Sequence, residues 1–265
     1  MGPDLLDDLG AEYDELDALL ASVDEGSWDS PTPAVPFLVR DQVLHLALGE
    51  ELAALAIAEP AAFQSRLVEL LADVARLEQD AAVEARQLRP DDLLGRWRHH
   101  RNRTLDGLRA APPDARVGWI TGEMSVASFA TARLMETWAH GQDVVDGLGW
   151  RRPPTARLRH VADLGVRTCS FSYRNRGLAV PEGAVWVELD GPSGEQWVWG
   201  PADAPDRVCG PVEDFCLVVT QRRHLADTSL DITGPGAGEW LAIAQAFAGP
   251  PTDGRRPGQF PTLDP

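Results

Sequence analysis

The sequence predicts a mixed α and α/β chain: a four-helix bundle over about the first 150 residues, then a small α+β domain. Three observations predict it. From residue 4 to residue 149, apolar residues recur at helical spacing in one segment after another, and no stretch reads as a convincing strand. At 151–154 the chain runs Arg-Arg-Pro-Pro, the composition of a linker. Beyond it, AVWVELD (184–190) and EQWVWG (195–200) read as two strands joined by a turn at Gly191–Gly194. The expected domains are therefore 1–150 and 151–265.

Taken in order, Leu5, Leu9, Tyr13, Leu16, Leu19, Leu20 and Val23 mark an amphipathic first helix over 4–23. The prolines of GSWDSPTPAVP (26–36) exclude a continuous helix there. A second helix is expected from Val39 to Ala58, apolar around most of its girth and hence central. Pro60 opens a third, expected to run on to about Gln87, and Pro90 a fourth, to Leu108. A loop over 112–123 leads to a long helix containing TARLMETWAHGQDVVDGLG (131–149), where Leu134, Trp138, Val145 and Leu148 repeat and glycines supply a stop. After the linker, a helix is expected over 155–173. Short strands follow at 208–209 and 230–234, and helices at 212–221 and 236–247. The tail from Gly249 is rich in Pro and Gly and reads as extended.

The charge bounds the partners. A net charge of −17 repels nucleic acid and anionic lipid alike, so neither is an expected partner. Every basic residue is Arg and none is Lys, a bias that suggests GC-rich coding. Cys169, Cys209 and Cys216 are odd in number and form no C-x-x-C pair, so they read as free thiols in a reducing compartment. With no basic and apolar leader and no membrane-length apolar run, the expected location is the cytoplasm. A monomer or a homodimer is expected.

The chemistry-bearing residues start with Glu136 and His140. Four residues apart on a helix, they project from one face, and both types ligate a borderline divalent ion such as zinc. Such a pair is common on soluble helices and needs a third ligand. His45 lies among Leu44, Leu46 and Leu48 on the second helix, where an imidazole must find a partner. One reading is a core histidine bonded to a carboxylate such as Asp41. The other joins it to Glu136 and His140 across the bundle, a two-His, one-carboxylate set with open coordination positions. Asp41 and Asp143 are then the expected outer partners of the histidines. His99 and His100, on a basic helical face, read as solvated surface, His160 and His224 as surface or hydrogen-bonded residues, and Trp138 is expected near the metal.

A histidine in the second helix followed by E-x-x-x-H late in the same bundle resembles the DinB/YfiT-like metalloenzyme superfamily. VRDQVLHLA (39–47), TARLMETWAHGQDVVDGLG (131–149) and DFCLVVTQRRHLADTSL (214–230) resemble an uncharacterised metal-binding subfamily of its actinobacterial branch. That branch contains mycothiol-dependent maleylpyruvate isomerase. The resemblance implies a DinB-like bundle followed by an α+β C-terminal domain, with His45, Glu136 and His140 as ligands. It implies a divalent metal, usually Zn2+ with Ni2+ or Fe2+ as substitutes, and mycothiol as cosubstrate. It also implies an essential arginine in the C-terminal domain, for which Arg222 and Arg223 are both counterparts.

The expected function is a metal-dependent enzyme, a thiol transferase or isomerase. It would activate a small thiol as a metal-bound thiolate for conjugation to, or isomerisation of, a small electrophilic substrate. Arg222 or Arg223 would hold a carboxylate. Two rivals stand beside it: a thiol-independent hydrolase using metal-activated water on the same bundle, and a non-enzymatic module in which the metal only fastens the helices.

Overall fold

Helix α1 (Asp4–Ala21) turns Leu5, Leu9, Tyr13, Leu16 and Leu20 inward, as its periodicity dictates. A 3-10 turn (Glu25–Asp29) then carries Trp28 into the core. Helix α2 (Val39–Ala58) begins and ends where its apolar run does, and buries residues on most of its surface. The computed structural model describes residues 4–112 and 114–260. The chain divides into two units, Met1–Arg152 and Pro153–Pro265.

The expected third helix is two helices, α3 (Pro60–Ala72) and α4 (Val74–Gln87). Asp73 between them leaves the helical conformation (φ −154°, ψ 74°), and its carboxylate accepts from the amide of Arg76. Asp prefers such a capping position to a helix interior, which is why periodicity alone overran the break. Helix α5 (Pro90–Ala110) follows with proline at its first position. The segment expected to be a loop contains a hairpin, β1 (Arg116–Trp119) and β2 (Gly122–Ser125), turned by Gly122 at φ 107°. Four-residue strands are too short for alternation to announce them. Helix α6 (Val126–Gly147) starts on a Ser125 cap, whose hydroxyl accepts from the Ser128 amide.

Helices α1, α2, α5 and α6 pack on one another as the bundle, while α3 and α4 lie against α2. Its core holds charge as well as leucine. Glu50 on α2 is fully buried and accepts from Arg133 Nε on α6 at 3.1 Å. Arg101 stacks over the Trp97 ring at 4.7 Å and pairs with Asp17. The expected linker is partly structural. Arg152 is tied to Glu12 at 3.1 Å and donates to the Trp138 carbonyl at 2.6 Å, both within the first unit.

In the second unit the helix expected over 155–173 is broken at Thr168 into α7 (Leu158–Arg167) and α8 (Cys169–Asn175). A four-stranded sheet follows, with β3 (Val185–Asp190), β4 (Gln196–Trp199), β5 (Asp206–Pro211) and β6 (Asp231–Thr233) in the order β4-β3-β5-β6. The β3–β5 pair is parallel and the other pairs antiparallel. Helices α9 (Val212–Val219) and α10 (Pro235–Ile243) pack against it. Val187, Leu189 and Val208, on one face by the period of two, are fully buried. This is the expected architecture: a helical N-terminal part and a C-terminal part built on a small sheet. No described helix is long and apolar enough to cross a membrane. The three cysteines carry no disulfide, and buried Cys216 has its thiol pushed well above the usual range by desolvation.

Candidate metal centre

Helix α2 supplies His45 and helix α6 supplies Glu136 and His140, one turn apart. A ligand atom from each lies within 4.8 Å of the others. The His45 and His140 rings stack at 4.3 Å with a tilt of 36°. Leu44 and Leu46 turn into the core on either side of His45, which is itself exposed. The imidazole is therefore not stranded among leucines, because neighbours on a helix point 100° apart.

A chain of hydrogen bonds sets the His140 tautomer. Thr32 Oγ1 donates to the Phe37 carbonyl at 2.8 Å, so it receives the Gln42 amide, whose Nε2 donates to it at 3.1 Å. Gln42 Oε1 then faces His140 Nδ1 at 2.6 Å and accepts its proton. In a neutral imidazole this leaves the lone pair on Nε2. That atom faces Glu136 Oε2 at 3.2 Å. Two acceptors at this distance need a cation to share, either a proton or a metal ion. Neighbouring ligands of a tetrahedral zinc lie about 3.3 Å apart, given zinc–ligand bonds of about 2.0–2.1 Å. The residues thus fit a divalent ion.

Burial alone would raise the Glu136 carboxyl. The hydrogen bond and charge of His140, with the charges of Arg133 and His45, outweigh it and hold the pKa at about 2. Arg133 lies one turn before Glu136 on α6 and is anchored by buried Glu50. An ionised carboxylate beside imidazole nitrogens is the donor set a divalent cation favours.

The remaining sequence candidates divide. Asp41 caps its own helix, its Oδ2 accepting from the Leu38 amide at 2.8 Å. Asp143 is buried on α6 one turn beyond Ala139, but the partner found on His140 Nδ1 is Gln42. Trp138 is not near the three ligands as expected: it lies two residues from both Glu136 and His140, hence on the opposite face, and packs under the Arg152 guanidinium at 5.2 Å. His100 is largely buried beside Glu51 at 3.7 Å, not a solvated surface residue. His224 caps a turn by accepting from the Ala226 amide. In the second unit, Arg222 is buried and donates to the Thr220 carbonyl. Arg223 donates to the Arg222 carbonyl and lies 4.0 Å over the Phe260 ring.

Sequence reasoning missed Gln42 and Thr32. Gln42 is three residues before His45, the spacing of one turn, and is a polar residue in an apolar helix. That was the available signal. Beside the centre the first unit also holds a cavity that reaches His45 and His140 and is otherwise walled mainly by apolar side chains of α2 and α4.

Comparison with known proteins agrees with this architecture. Residues 9–145 match the family model described as the mycothiol maleylpyruvate isomerase N-terminal domain, and residues 181–231 match one described as wyosine base formation. Two uncharacterized proteins, from two strains of Mycobacterium tuberculosis, are each 46% identical over 94% of this chain and 96% of their own length. The crystal structure of the mycothiol-dependent maleylpyruvate isomerase shares the fold with a TM-score of 0.54 and 17% identity, over 83% of this chain and 89% of that one. A mutant of that isomerase gives the same TM-score at 16% identity. The first family model spans more than half of the sequence, and the chain belongs to the family of the mycothiol maleylpyruvate isomerase N-terminal domain.

Proposed function

We propose that this chain is a divalent-metal-dependent enzyme that uses a low-molecular-weight thiol, mycothiol foremost, to conjugate or isomerise a small electrophile. The observation that carries the reading is the meeting of His45, Glu136 and His140 from two helices, with ligand atoms within 4.8 Å and an apolar cavity beside them. Kinship with a mycothiol-dependent isomerase supports the choice of thiol.

His45, Glu136 and His140 would hold the ion. Gln42 keeps the His140 Nδ1 proton in place and so presents Nε2 as the donor. Glu136, held ionised, offsets one of the two positive charges. Three protein ligands leave room for another group, the arrangement of catalytic and not structural zinc sites. A bound divalent cation supplies the charge that lets a thiol lose its proton near neutral pH. The guanidinium of Arg222 or Arg223 would bind a carboxylate of the thiol or the substrate, for which its planar fork is suited.

The test is metal analysis of protein purified without added metal, followed by calorimetric titration with mycothiol. The expected result is about one ion per chain and thiol binding that disappears on metal removal. Equally weak binding with and without metal would move the account to a thiol-independent metalloenzyme.

A further inference from the structure

The cavity beside the centre has a volume of about 240 Å³. A cavity of about 150 Å³ holds a benzene molecule, so this one has room for a substituted single ring or an aliphatic body of that size. Phe37, Leu44, Leu48, Ala81 and Ala82 supply its apolar wall. Its polar members are Asp41, Gln42 and the two histidines of the candidate centre, and Asp41 Oδ1 is buried there without a hydrogen-bond partner. Gln42 spends its amide nitrogen on Thr32 and its oxygen on His140, and Asp41 Oδ2 accepts from the Leu38 amide. Among the described residues no arginine lines it, and the one carboxylate on its wall is that of Asp41.

An anion seated against the apolar wall would lose water and face the Asp41 carboxylate, a charge of its own sign, while the cavity's cationic groups are confined to the end where His45 and His140 lie. A neutral apolar body would lose only unfavourable contact with water. Because the cavity reaches both histidines, a molecule seated in it presents one end to the candidate centre.

We propose that this cavity seats the substrate's body, and that the electrophile is therefore a hydrophobic, uncharged small molecule and not a compact dicarboxylate. The assignment rests on the reading of the centre as catalytic, since only then is the occupant a substrate.

The probes are benzyl alcohol and benzoate, which share a ring and differ in charge. Each is titrated by NMR into the full-length chain, as purified and after chelation, so that attraction of benzoate to an ion is separated from the cavity's own preference. We expect benzyl alcohol to shift the amides of Ala81 and Ala82 saturably. In chelated protein, benzoate should bind about tenfold more weakly or worse. Ala82→Phe should abolish binding by filling the space, and Leu48→Gln, which keeps the volume, should weaken it. Asp41→Asn retains an acceptor for Leu38 and should narrow the gap between the two probes. Benzoate binding as well as the alcohol in chelated protein, no shift on α4, or full binding by both cavity variants would overturn the proposal. Mycothiol calorimetry is independent of these outcomes. Expected probe behaviour without metal-dependent thiol binding would leave the cavity's preference standing and remove the thiol, and the reverse pattern would do the opposite.

Discussion

Gln42 Oε1 accepts a 2.6 Å hydrogen bond from His140 Nδ1, and this contact decides which nitrogen of His140 is free to act. The amide is oriented from behind by Thr32, whose own hydroxyl proton is committed to the Phe37 carbonyl. A segment ahead of α2 thus reaches through two side chains to a ring on α6.

Replacing Gln42 by Leu is expected to weaken metal binding about 10–100-fold while the bundle stays folded, the usual cost of losing the group that orients a ligating histidine. Competition titration against a chromophoric chelator measures it. Gln42→Glu, which keeps an acceptor, should lose less, and affinity unchanged in Gln42→Leu would show that the contact does not orient the ligand.

His45→Ala, Glu136→Ala and His140→Ala should each strip the ion and keep most of the helical circular dichroism, because all three side chains are at least partly exposed and none is a core anchor. Elemental analysis decides. Full occupancy in His45→Ala or His140→Ala would end the ligand assignment.

In metal-free protein the Glu136 carboxyl titrates at about 2, below its ordinary value of 4.5. A carboxyl whose pKa is depressed on folding contributes stability that is present above the unfolded value and lost as pH falls through the folded one. The contribution of Glu136 should therefore be intact above about pH 4.5 and disappear towards pH 2, amounting to at most about 3 kcal/mol. Urea midpoints across that range should fall less steeply in Glu136→Gln; identical profiles would contradict the shift.

The Glu50–Arg133 pair is closed off from water on both sides. Glu50→Ala leaves the guanidinium buried without its carboxylate and should cost about 3–5 kcal/mol in chemical denaturation, whereas Glu50→Met with Arg133→Leu should cost much less. Equal losses in the two proteins would mean that packing, not charge, sets the penalty.

Thiol binding to metal-loaded protein near neutral pH should release about one proton per thiol, because a cation favours the thiolate. Calorimetry in buffers of different ionisation enthalpy reads the proton directly, and its absence would show that the thiol binds intact.

Local features of the sequence were enough for much of this. The leucine-rich run from about Val39 to Ala58 marks α2, since a central helix is apolar around most of its girth and Pro36 and Pro60 bracket it. Glu136 and His140 share a face because 3.6 residues make a turn, whatever surrounds them. The strands at 185–190 and 196–199 follow from alternation and the glycines between them. Other features depend on contacts between distant segments, which periodicity does not encode. The breaks at Asp73 and Thr168 sit where a polar side chain can satisfy backbone groups, and periodicity sees only apolar spacing. Trp138 faces Arg152 and not the three ligands because a buried guanidinium took its carbonyl and ring. Asp41 was spent on its own helix start, while Gln42, one residue on, met His140 across 98 positions of chain. The ligand types and their local spacing were thus legible in the sequence. Which polar neighbour fixes the histidine was settled only when α2 and α6 packed, because a hydrogen bond depends on a position in space that helical phase alone does not specify.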